Sequence, residues 1–276
     1  VVWVAQGLAL STRERRLRSI ERPWMRQLGK YRLSDPEAAK WIMENLKGNW
    51  SKEIIRGIQR LGISLGWLVH IPVPDIHLKV RKRDRKVTRA ITQKEHEDIV
   101  AYERESVRTG RSKADMGIER ALYYELLWHT GAAQIDGANL KAENIDWSRN
   151  RLGYRRQKTG EKCLLGIGSD FEEFLRQLPS EGFLFPQMTA KSSGHRAAEF
   201  NRRRKLLELE GVSLHSYRYS WAERAAVVGM PLRWAQAALG HSSRVIAQAY
   251  ARKAEIACPL PEDYRHGSEV LEGGRY

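Results

Sequence analysis

Apolar residues recur every three or four positions in the first part of the chain, a spacing typical of one face of an α-helix. Residues 35–37 (Asp-Pro-Glu) supply an N-cap, a helix-opening proline and an acidic first turn, and Gly48 marks the end of that helix. We predict a second helix, capped by Ser51, whose apolar face continues to Val69 before prolines end it. An upstream apolar face contains Pro23, which must kink or open its helix. This pattern predicts a small helical domain.

Helical spacing returns after residue 90 and is interrupted by one β-like region. Thr92 and Glu95 have the spacing of a capping box. Two β-like stretches, 151–157 and 162–167, flank a loop that contains a glycine, which predicts a hairpin. Further helices are predicted over residues 118–128, 171–178, 195–209, 214–228, 232–239 and 245–253. We therefore predict a mainly α-helical chain with a small β-hairpin or sheet.

A length of 276 residues favours two domains over one. Between the two helical regions lies a segment, residues 79–86, that is too charged to pack in a core and suited to lie along a phosphate backbone. We call this segment the basic strap. Its candidate DNA-binding residues are Arg81, Lys82, Arg83, Arg85 and Lys86. The predicted division is a helical domain over 1–78, a linker over 79–90 and a second domain with a tail over 91–276.

The charge balance predicts a polyanionic partner. The chain has 48 Lys plus Arg against 33 Asp plus Glu, a net charge of +15. Basic side chains that neutralise phosphates release condensed counterions and so drive association, which makes nucleic acid the leading candidate. The alternative is a solvated basic surface. A second basic run contains Arg202 and Arg203, for which a solvated helix face and a phosphate-tracking segment stay open as alternatives.

The sequence disfavours several other classes of protein. No apolar run reaches the roughly 18 residues of a membrane helix, and the first residues lack the basic region of a signal peptide. Neither a metal-ligand spacing nor a phosphate-binding loop for ATP is found. Two cysteines, Cys163 and Cys258, cannot form a disulfide framework, so we expect a reducing compartment. Together with a nucleic-acid partner, this predicts a cytoplasmic, nucleoid-associated location. The chain opens without Met, as a fragment would.

Candidate residues for phosphate chemistry lie in the C-terminal third. Phosphoryl transfer without a metal needs a nucleophile, cations around the phosphoryl oxygens and an acid for the leaving oxygen. His215 and Arg218 are three residues apart, so one helical face brings both to the same phosphate. The planar guanidinium of Arg218 matches two phosphate oxygens. His241 follows in a predicted turn between two helices, and Tyr250 lies nine residues later.

This arrangement resembles the C-terminal signature of the tyrosine recombinase, or phage integrase, family. That signature is a His-x-x-Arg pair, then Leu-Gly-His, then a tyrosine nine residues after that histidine, and the chain has all three in order. Lys158, in the predicted hairpin, stands where the family carries its catalytic lysine. The N-terminal helices and the strap resemble the family's core-binding domain and linker, and the remainder resembles its catalytic domain.

The resemblance implies a site-specific DNA recombinase or integrase that cuts and rejoins duplex DNA through a 3′-phosphotyrosyl intermediate. Tyr250 would be the nucleophile and His215 the acceptor of its proton. Lys158 would donate a proton to the leaving 5′-oxygen. Arg218 and His241 would stabilise negative charge on the phosphate. The resemblance implies no cofactor and no metal.

The resemblance also implies assembly on DNA. Expected partners are double-stranded DNA and further copies of the chain, with monomers in free solution and a homotetramer on paired DNA sites. In the family, the segment after the nucleophile packs on a neighbouring protomer. Here that segment contains prolines and cannot continue the preceding helix, and its apolar anchor would be Val270 and Leu271.

One position departs from the family pattern. The first catalytic arginine belongs to a motif resembling Thr-Gly-x-Arg, followed three residues later by an acid, and the matching positions here hold Ala133 and Asp136. Losing one such donor typically costs about 2.7–4 kcal/mol of transition-state stabilisation. Three explanations are open: another group has taken over, the substitution was introduced to stall the enzyme, or the protein binds DNA without cutting it. Candidate replacements are Gln134, Arg155, Arg156 and Arg202.

Two rival functions fit the same scaffold. One is a catalytically impaired, sequence-specific DNA-binding protein, which Ala133 keeps open. The other is a type IB topoisomerase, which shares the tyrosine chemistry but needs no defined DNA site. The separate N-terminal helical module favours the recombinase over the topoisomerase.

Overall fold

The computed structural model describes residues 14, 18, 23–46, 49–74, 88–110, 113–241, 243–251 and 254. The chain divides into two compact units, Val1–Lys86 and Val87–Tyr276, and the division falls inside the predicted linker. The tail with Val270 and Leu271 lies outside the described residues, and so do five basic residues of the strap: Arg81, Lys82, Arg83, Arg85 and Lys86. Their contacts with DNA and with a second copy of the chain stay predictions.

The described part of the first unit contains three helices around a small apolar core. These are α1 (Pro23–Leu28), α2 (Pro36–Asn45) and α3 (Asn49–Ser64). Helix α2 confirms the predicted start, and α1 begins at Pro23, the residue predicted to kink or open its helix. The missing N–H of a proline costs nothing at the first helical position. The core consists of Leu28, Ile42, Leu46, Ile55 and Val73.

Helix α3 differs from its prediction at both ends. It begins two residues before Ser51, so the predicted cap is wrong, and it ends at Ser64 rather than at Val69. The cause of the early end is Gly66, whose φ of +70° closes the helix in a left-handed turn. The backbone N–H groups of Gly66 and Trp67 donate backwards to the carbonyls of residues 63 and 62, at 3.1 and 2.8 Å. The chain beyond leaves the helix axis, and Val69 is 97% exposed.

The second unit begins with the helices α4 (Gln93–Arg108) and α5 (Ala114–Thr130), which pack against each other. The predicted capping box is confirmed, since the Glu95 backbone N–H donates to the Thr92 hydroxyl at 3.2 Å and the Thr92 N–H donates to the Glu95 carboxylate at 2.9 Å. Gly131, with a φ of 59°, ends α5. A short helix α6 (Gln134–Ala138) and a 3₁₀ turn (Ala142–Asn144) follow.

The predicted hairpin is confirmed as part of a three-stranded antiparallel sheet. Its strands are β1 (Ile145–Asp146), β2 (Arg151–Arg155) and β3 (Lys162–Gly166), in the order β1-β2-β3. Arg151 lies opposite Gly166 and Arg155 opposite Lys162. Strand β1 was not predicted, because two residues are too few to show the alternation of a strand.

Six helices complete the described part of the second unit: α7 (Ser169–Leu175), α8 (Pro186–Ala190), α9 (Ser193–Leu206), α10 (Ser216–Val227), α11 (Leu232–Leu239) and α12 (Arg244–Tyr250). Five of them confirm predicted helices, α11 with the predicted bounds and the other four with shifted ends. Helix α8 is too short to have been predicted. The prediction of a mainly helical chain with a small sheet is thereby confirmed. None of the helices in the described ranges is long and apolar enough to cross a membrane.

The core of the second unit is rich in aromatic rings. Helix α10 packs on α5 and buries Tyr217 completely, with its ring 6.2 Å from that of Tyr124 and 6.1 Å from that of Phe200. This packing holds α10 rigidly, and the N-terminal end of α10 carries two of the candidate catalytic residues.

Candidate active site

Four of the predicted catalytic residues meet where α10, α11 and α12 come together. His215 immediately precedes α10 and has helical backbone angles, with φ −71° and ψ −19°, so it shares a face with Arg218 in the first turn. His241 follows the left-handed Gly240 between α11 and α12. Tyr250 is the last residue of α12. The predicted common site for these four residues therefore has a structural basis.

Tyr250 is surrounded by the other candidates. Its hydroxyl lies 2.8 Å from His215 Nε2, a hydrogen-bond distance. The His241 ring stacks on the Tyr250 ring with centroids 4.8 Å apart, and the Arg218 guanidinium carbon lies 5.4 Å from the Tyr250 centroid. Tyr219 stacks on Tyr250 at 4.7 Å. Sequence reasoning did not find Tyr219, although its position one residue after Arg218 was the available signal.

Arg218 is held by backbone carbonyls and is 1% exposed. Its Nη1 donates to the carbonyl of Gly131 at 3.0 Å, and its Nη2 donates to the carbonyl of Leu239. Its Nε is buried and has no hydrogen-bond partner within the described ranges. A buried guanidinium that pairs with carbonyls keeps its full positive charge uncompensated, and such a charge favours an anion beside it.

The two histidines are kept neutral. Burial lowers the pKa of His241 from 6.5 to about 3, and the charges of Arg218 and Arg156 act in the same direction. Enclosure of the ring by protein lowers the pKa of His215 from 6.5 to about 4, assisted by Arg218, Arg156 and Lys158, although His215 keeps an exposed edge. Neutral His215 can accept a proton at Nε2.

Lys158 is exposed in the turn between β2 and β3. Its positive charge makes a small contribution, after burial, Arg218 and Arg156, to the lowered pKa of His215. No hydrogen bond or ion pair ties Lys158 to other described residues, so its ammonium group is available to a ligand. The predicted placement of a lysine beside the tyrosine site is compatible with this position.

Ala133 precedes α6 and carries no group that could contact a phosphate. Three residues later, Asp136 is buried, and its Oδ1 accepts from the Gln157 backbone N–H at 2.9 Å. Its Oδ2 lies 3.5 Å from Nε of Arg156. Arg156 also donates from Nη1 to the carbonyl of Gly240 at 3.2 Å, which brings it to the turn that carries His241.

The other proposed replacements are exposed or uncharged. Arg155 is exposed, and its Nη1 donates to Gly160 within the hairpin at 3.2 Å. Gln134 is uncharged. Arg202 is exposed on α9, whereas Arg203 on the same helix turns inward and pairs with the buried Glu103 at 2.7 Å. The structure therefore gives Arg203 an intramolecular partner, and a DNA contact by Arg202 or Arg203 stays a prediction.

A metal centre finds no support in the described ranges, where no group of three or more His, Cys, Asp or Glu side chains converges.

Residues 89–256 match the sequence model of the phage integrase family, which is more than half of the chain. The chain belongs to the phage integrase family. This membership confirms the resemblance drawn from the His-x-x-Arg, Leu-Gly-His and tyrosine motifs. The matched region includes all five candidate catalytic residues and Ala133. No curated protein sequence matches the chain.

Solved structures of tyrosine recombinases share the fold of this chain. A lambda integrase dimer bound to a COC′ core site superposes with a TM-score of 0.70 at 21% identity, covering 94% of this chain and 77% of that one. The Tn1549 transposon integrase in complex with transposon right end DNA gives a TM-score of 0.63 at 14% identity, covering 98% and 96%. A lambda integrase tetramer bound to a Holliday junction gives 0.68 at 20%, covering 94% and 77%. At such identities the comparison establishes the fold alone.

Proposed function

We propose that this chain is a site-specific DNA recombinase that breaks and rejoins duplex DNA through a covalent bond between Tyr250 and a 3′-phosphate. Membership of the phage integrase family supports recombination as the general activity. The observation that carries the finer proposal is the 2.8 Å contact between the Tyr250 hydroxyl and His215 Nε2, beside a buried guanidinium. A nucleophile, a neutral base and a fixed cation therefore converge on one point.

Donors without partners support a phosphate as the ligand at this point. Arg218 Nε, Arg156 Nε and both ring nitrogens of His241 are buried and have no hydrogen-bond partner in the described part of the chain, and one of those two ring nitrogens carries the N–H of the neutral ring. Leaving a buried donor unpaired costs about 1–3 kcal/mol, and more when the group is charged. The oxygens of a phosphodiester accept hydrogen bonds and carry negative charge, so a phosphate would relieve both penalties at once.

The proposed cleavage step exchanges one ester of the phosphate for another. The Tyr250 oxygen attacks phosphorus, its proton passes to His215 Nε2, and the bond from phosphorus to the 5′-oxygen breaks. Lys158 supplies a proton to that 5′-oxygen, which leaves as a hydroxyl. Arg218 stabilises the charge that accumulates on the non-bridging oxygens. Rejoining is the reverse attack by a 5′-hydroxyl, so no external energy source is needed.

DNA and further copies of the chain are the proposed partners. The net charge of +15 favours duplex DNA, and the related structures include a lambda integrase dimer on a core site and a tetramer on a Holliday junction. Neighbouring helices α11 and α12 expose large apolar side chains, with Trp234 48% and Val245 74% exposed. Such side chains favour contact with a second copy, which supports monomers that assemble on paired DNA sites.

Ala133 supports one alternative, a DNA-binding protein on the same scaffold that does not cut. That protein would bind a defined duplex tightly and yield no covalent product. The two functions differ in a single observable, the bond between protein and DNA.

Covalent capture tests the proposal. The chain is incubated with a library of short duplexes that carry a randomised segment and single nicks, which trap a covalent product because the cut strand diffuses away. Denaturant then removes DNA that is merely bound. We expect covalent adducts enriched in one sequence, and none from Tyr250→Phe, which removes one oxygen and no charge. Tyr102→Phe, which removes a hydroxyl from α4, is the matched control and should form the adduct normally.

An adduct that still forms in Tyr250→Phe would refute the assignment of Tyr250 as the nucleophile. Tight binding to one sequence with no adduct from the unaltered chain would refute the enzyme and support the binding protein.

A further inference from the structure

The site holds more positive charge than its protein neighbours balance. Arg218, Arg156 and Lys158 all act on His215, and each lowers the pKa of that histidine. Within the described ranges, Asp136 is the single carboxylate that forms an ion pair with any of the three cations. Two guanidiniums also repel each other here, because Arg156 lowers the pKa of Arg218 after the larger effect of burial. Repulsion between these cations raises the free energy of the site, and an anion bound between them would lower it.

Arg156 is directed into the site by its strand. Side chains alternate between the two faces of β2, so Leu152 and Tyr154 are buried while Arg151 and Arg155 are exposed. Arg156 continues the series of Leu152 and Tyr154, and its side chain is 12% exposed. Among the candidate replacements, it is the arginine whose charge acts on both His215 and His241.

Two contacts fix the guanidinium of Arg156 without saturating it. Nε faces Asp136 at 3.5 Å, an ion pair longer than a hydrogen bond, and Nη1 donates to Gly240 at 3.2 Å. Its Nη2 has no partner within the described residues. Gly240 makes this path possible, because a Cβ there would lie 2.6 Å from Arg156 Cδ.

The position of Asp136 links Arg156 to the family's missing group. Asp136 is the acid three residues after Ala133, and Gly131, two residues before Ala133, supplies the carbonyl that holds Arg218. Gly131, which binds Arg218, and Asp136, which binds Arg156, thus lie on either side of Ala133 in the chain. Asp136, which anchors Arg156, lies within one helical turn of position 133 in α6.

We propose that Arg156 binds a non-bridging oxygen of the scissile phosphate together with Arg218, and so replaces the arginine absent at Ala133. Arg156 is a catalytic residue in this account, and Asp136 is a positioning residue that aims it. The proposal rests on the proposed recombinase function. The class of ligand is a phosphodiester of duplex DNA, and two guanidiniums would share its negative charge.

The test is single-turnover cleavage of the duplex recovered by covalent capture, at DNA concentrations that saturate binding. Arg156→Gln should cleave about 100-fold to 1,000-fold more slowly than the unaltered chain, the usual loss for one transition-state donor. Arg149→Gln is the matched control, since Arg149 pairs with Asp146 on the same sheet at 3.7 Å but is exposed. Its rate should stay within about threefold of the unaltered chain.

A second substrate separates a phosphate contact from a structural role. A methylphosphonate at the scissile position replaces one charged oxygen by a methyl group, so a missing cation matters less there. Most of the loss of rate in Arg156→Gln should disappear on this substrate. On ordinary DNA, Arg156→Lys keeps the charge and should cleave at a rate between those of the unaltered chain and Arg156→Gln. An equal loss on both substrates would overturn the proposal, because a misfolded site cleaves slowly whatever the charge of the phosphate.

Ala133→Arg supplies the remaining comparison. It should gain little, because Arg156 already provides the cation, and a gain of about 100-fold or more would overturn the proposal. If the unaltered chain forms an adduct and Arg156→Gln cleaves at the same rate, the proposed role of Arg156 is refuted and the recombinase function stands. If the unaltered chain forms none, the recombinase function fails, and the claim that Arg156 makes good the loss at Ala133 fails with it.

Discussion

Replacing Gly240 by alanine should damage both the stability and the chemistry of the second unit. Gly240 has φ 59° and ψ 48°, a left-handed conformation that costs an L-residue about 1–2 kcal/mol. A Cβ would also lie 2.6 Å from Arg156 Cδ and 2.6 Å from Cys163 Sγ. Forcing atoms into packed space typically costs about 1–3 kcal/mol. The two effects together predict a loss of about 2–5 kcal/mol in the free energy of unfolding.

Gly229→Ala isolates the backbone effect. Gly229 has a φ of +73°, and a Cβ there would meet nothing within 4 Å. It should therefore lose about 1–2 kcal/mol only. Urea denaturation of the full chain, followed by tryptophan fluorescence, measures both variants. Adduct formation should fall in Gly240→Ala, since Arg156 must move, and should survive in Gly229→Ala. Equal losses of stability in the two variants would refute the close approach of Arg156 to Gly240.

Three further predictions concern pH, buried charge and salt. His241 has a pKa of about 3 in the folded chain against an ordinary 6.5, so below pH 6.5 the unfolded chain binds more protons than the folded one. The free energy of unfolding should therefore be highest above pH 6.5 and fall from there towards pH 3. His241→Gln should flatten that fall, as measured by urea titrations across the range. Glu103→Gln should lower the free energy of unfolding by about 3–5 kcal/mol, because Glu103 is fully buried between two arginines. The control is Glu105→Gln, which removes the charge from an exposed ion pair and should change that free energy little. Alanine at positions 81–83 should lower the slope of log K for duplex binding against log salt concentration by about 0.9 for each phosphate that the strap no longer neutralises. An unchanged slope would place the strap away from DNA.

Periodicity predicted most of the helices because each buries a regular apolar face. It could not predict where α3 ends, since that end depends on Gly66 adopting a positive φ. It also missed β1, α6 and α8, whose lengths of two, five and five residues are too short to show a repeating pattern. Their positions depend on neighbours distant in sequence.

The candidate site was predictable in part. The order and spacing of His215, Arg218, His241 and Tyr250 identified them through their resemblance to the family signature. A helix and a tight turn convert such fixed spacing into proximity. The partner of Arg156 was not predictable, since the ion pair with Asp136 joins residues that only the fold of the sheet brings together. Strand alternation would nevertheless have favoured Arg156 over Arg155, because Arg156 falls on the face of buried Leu152 and Tyr154.

The most direct measurement of the central claim is mass spectrometry of the denaturant-resistant product after digestion of both protein and DNA. The account predicts one modified peptide, with a nucleotide 3′-phosphate esterified to Tyr250, and a free 5′-hydroxyl on the released strand. A phosphate on any other residue, a linkage to a 5′-phosphate, or no linked peptide from DNA that binds tightly would contradict it.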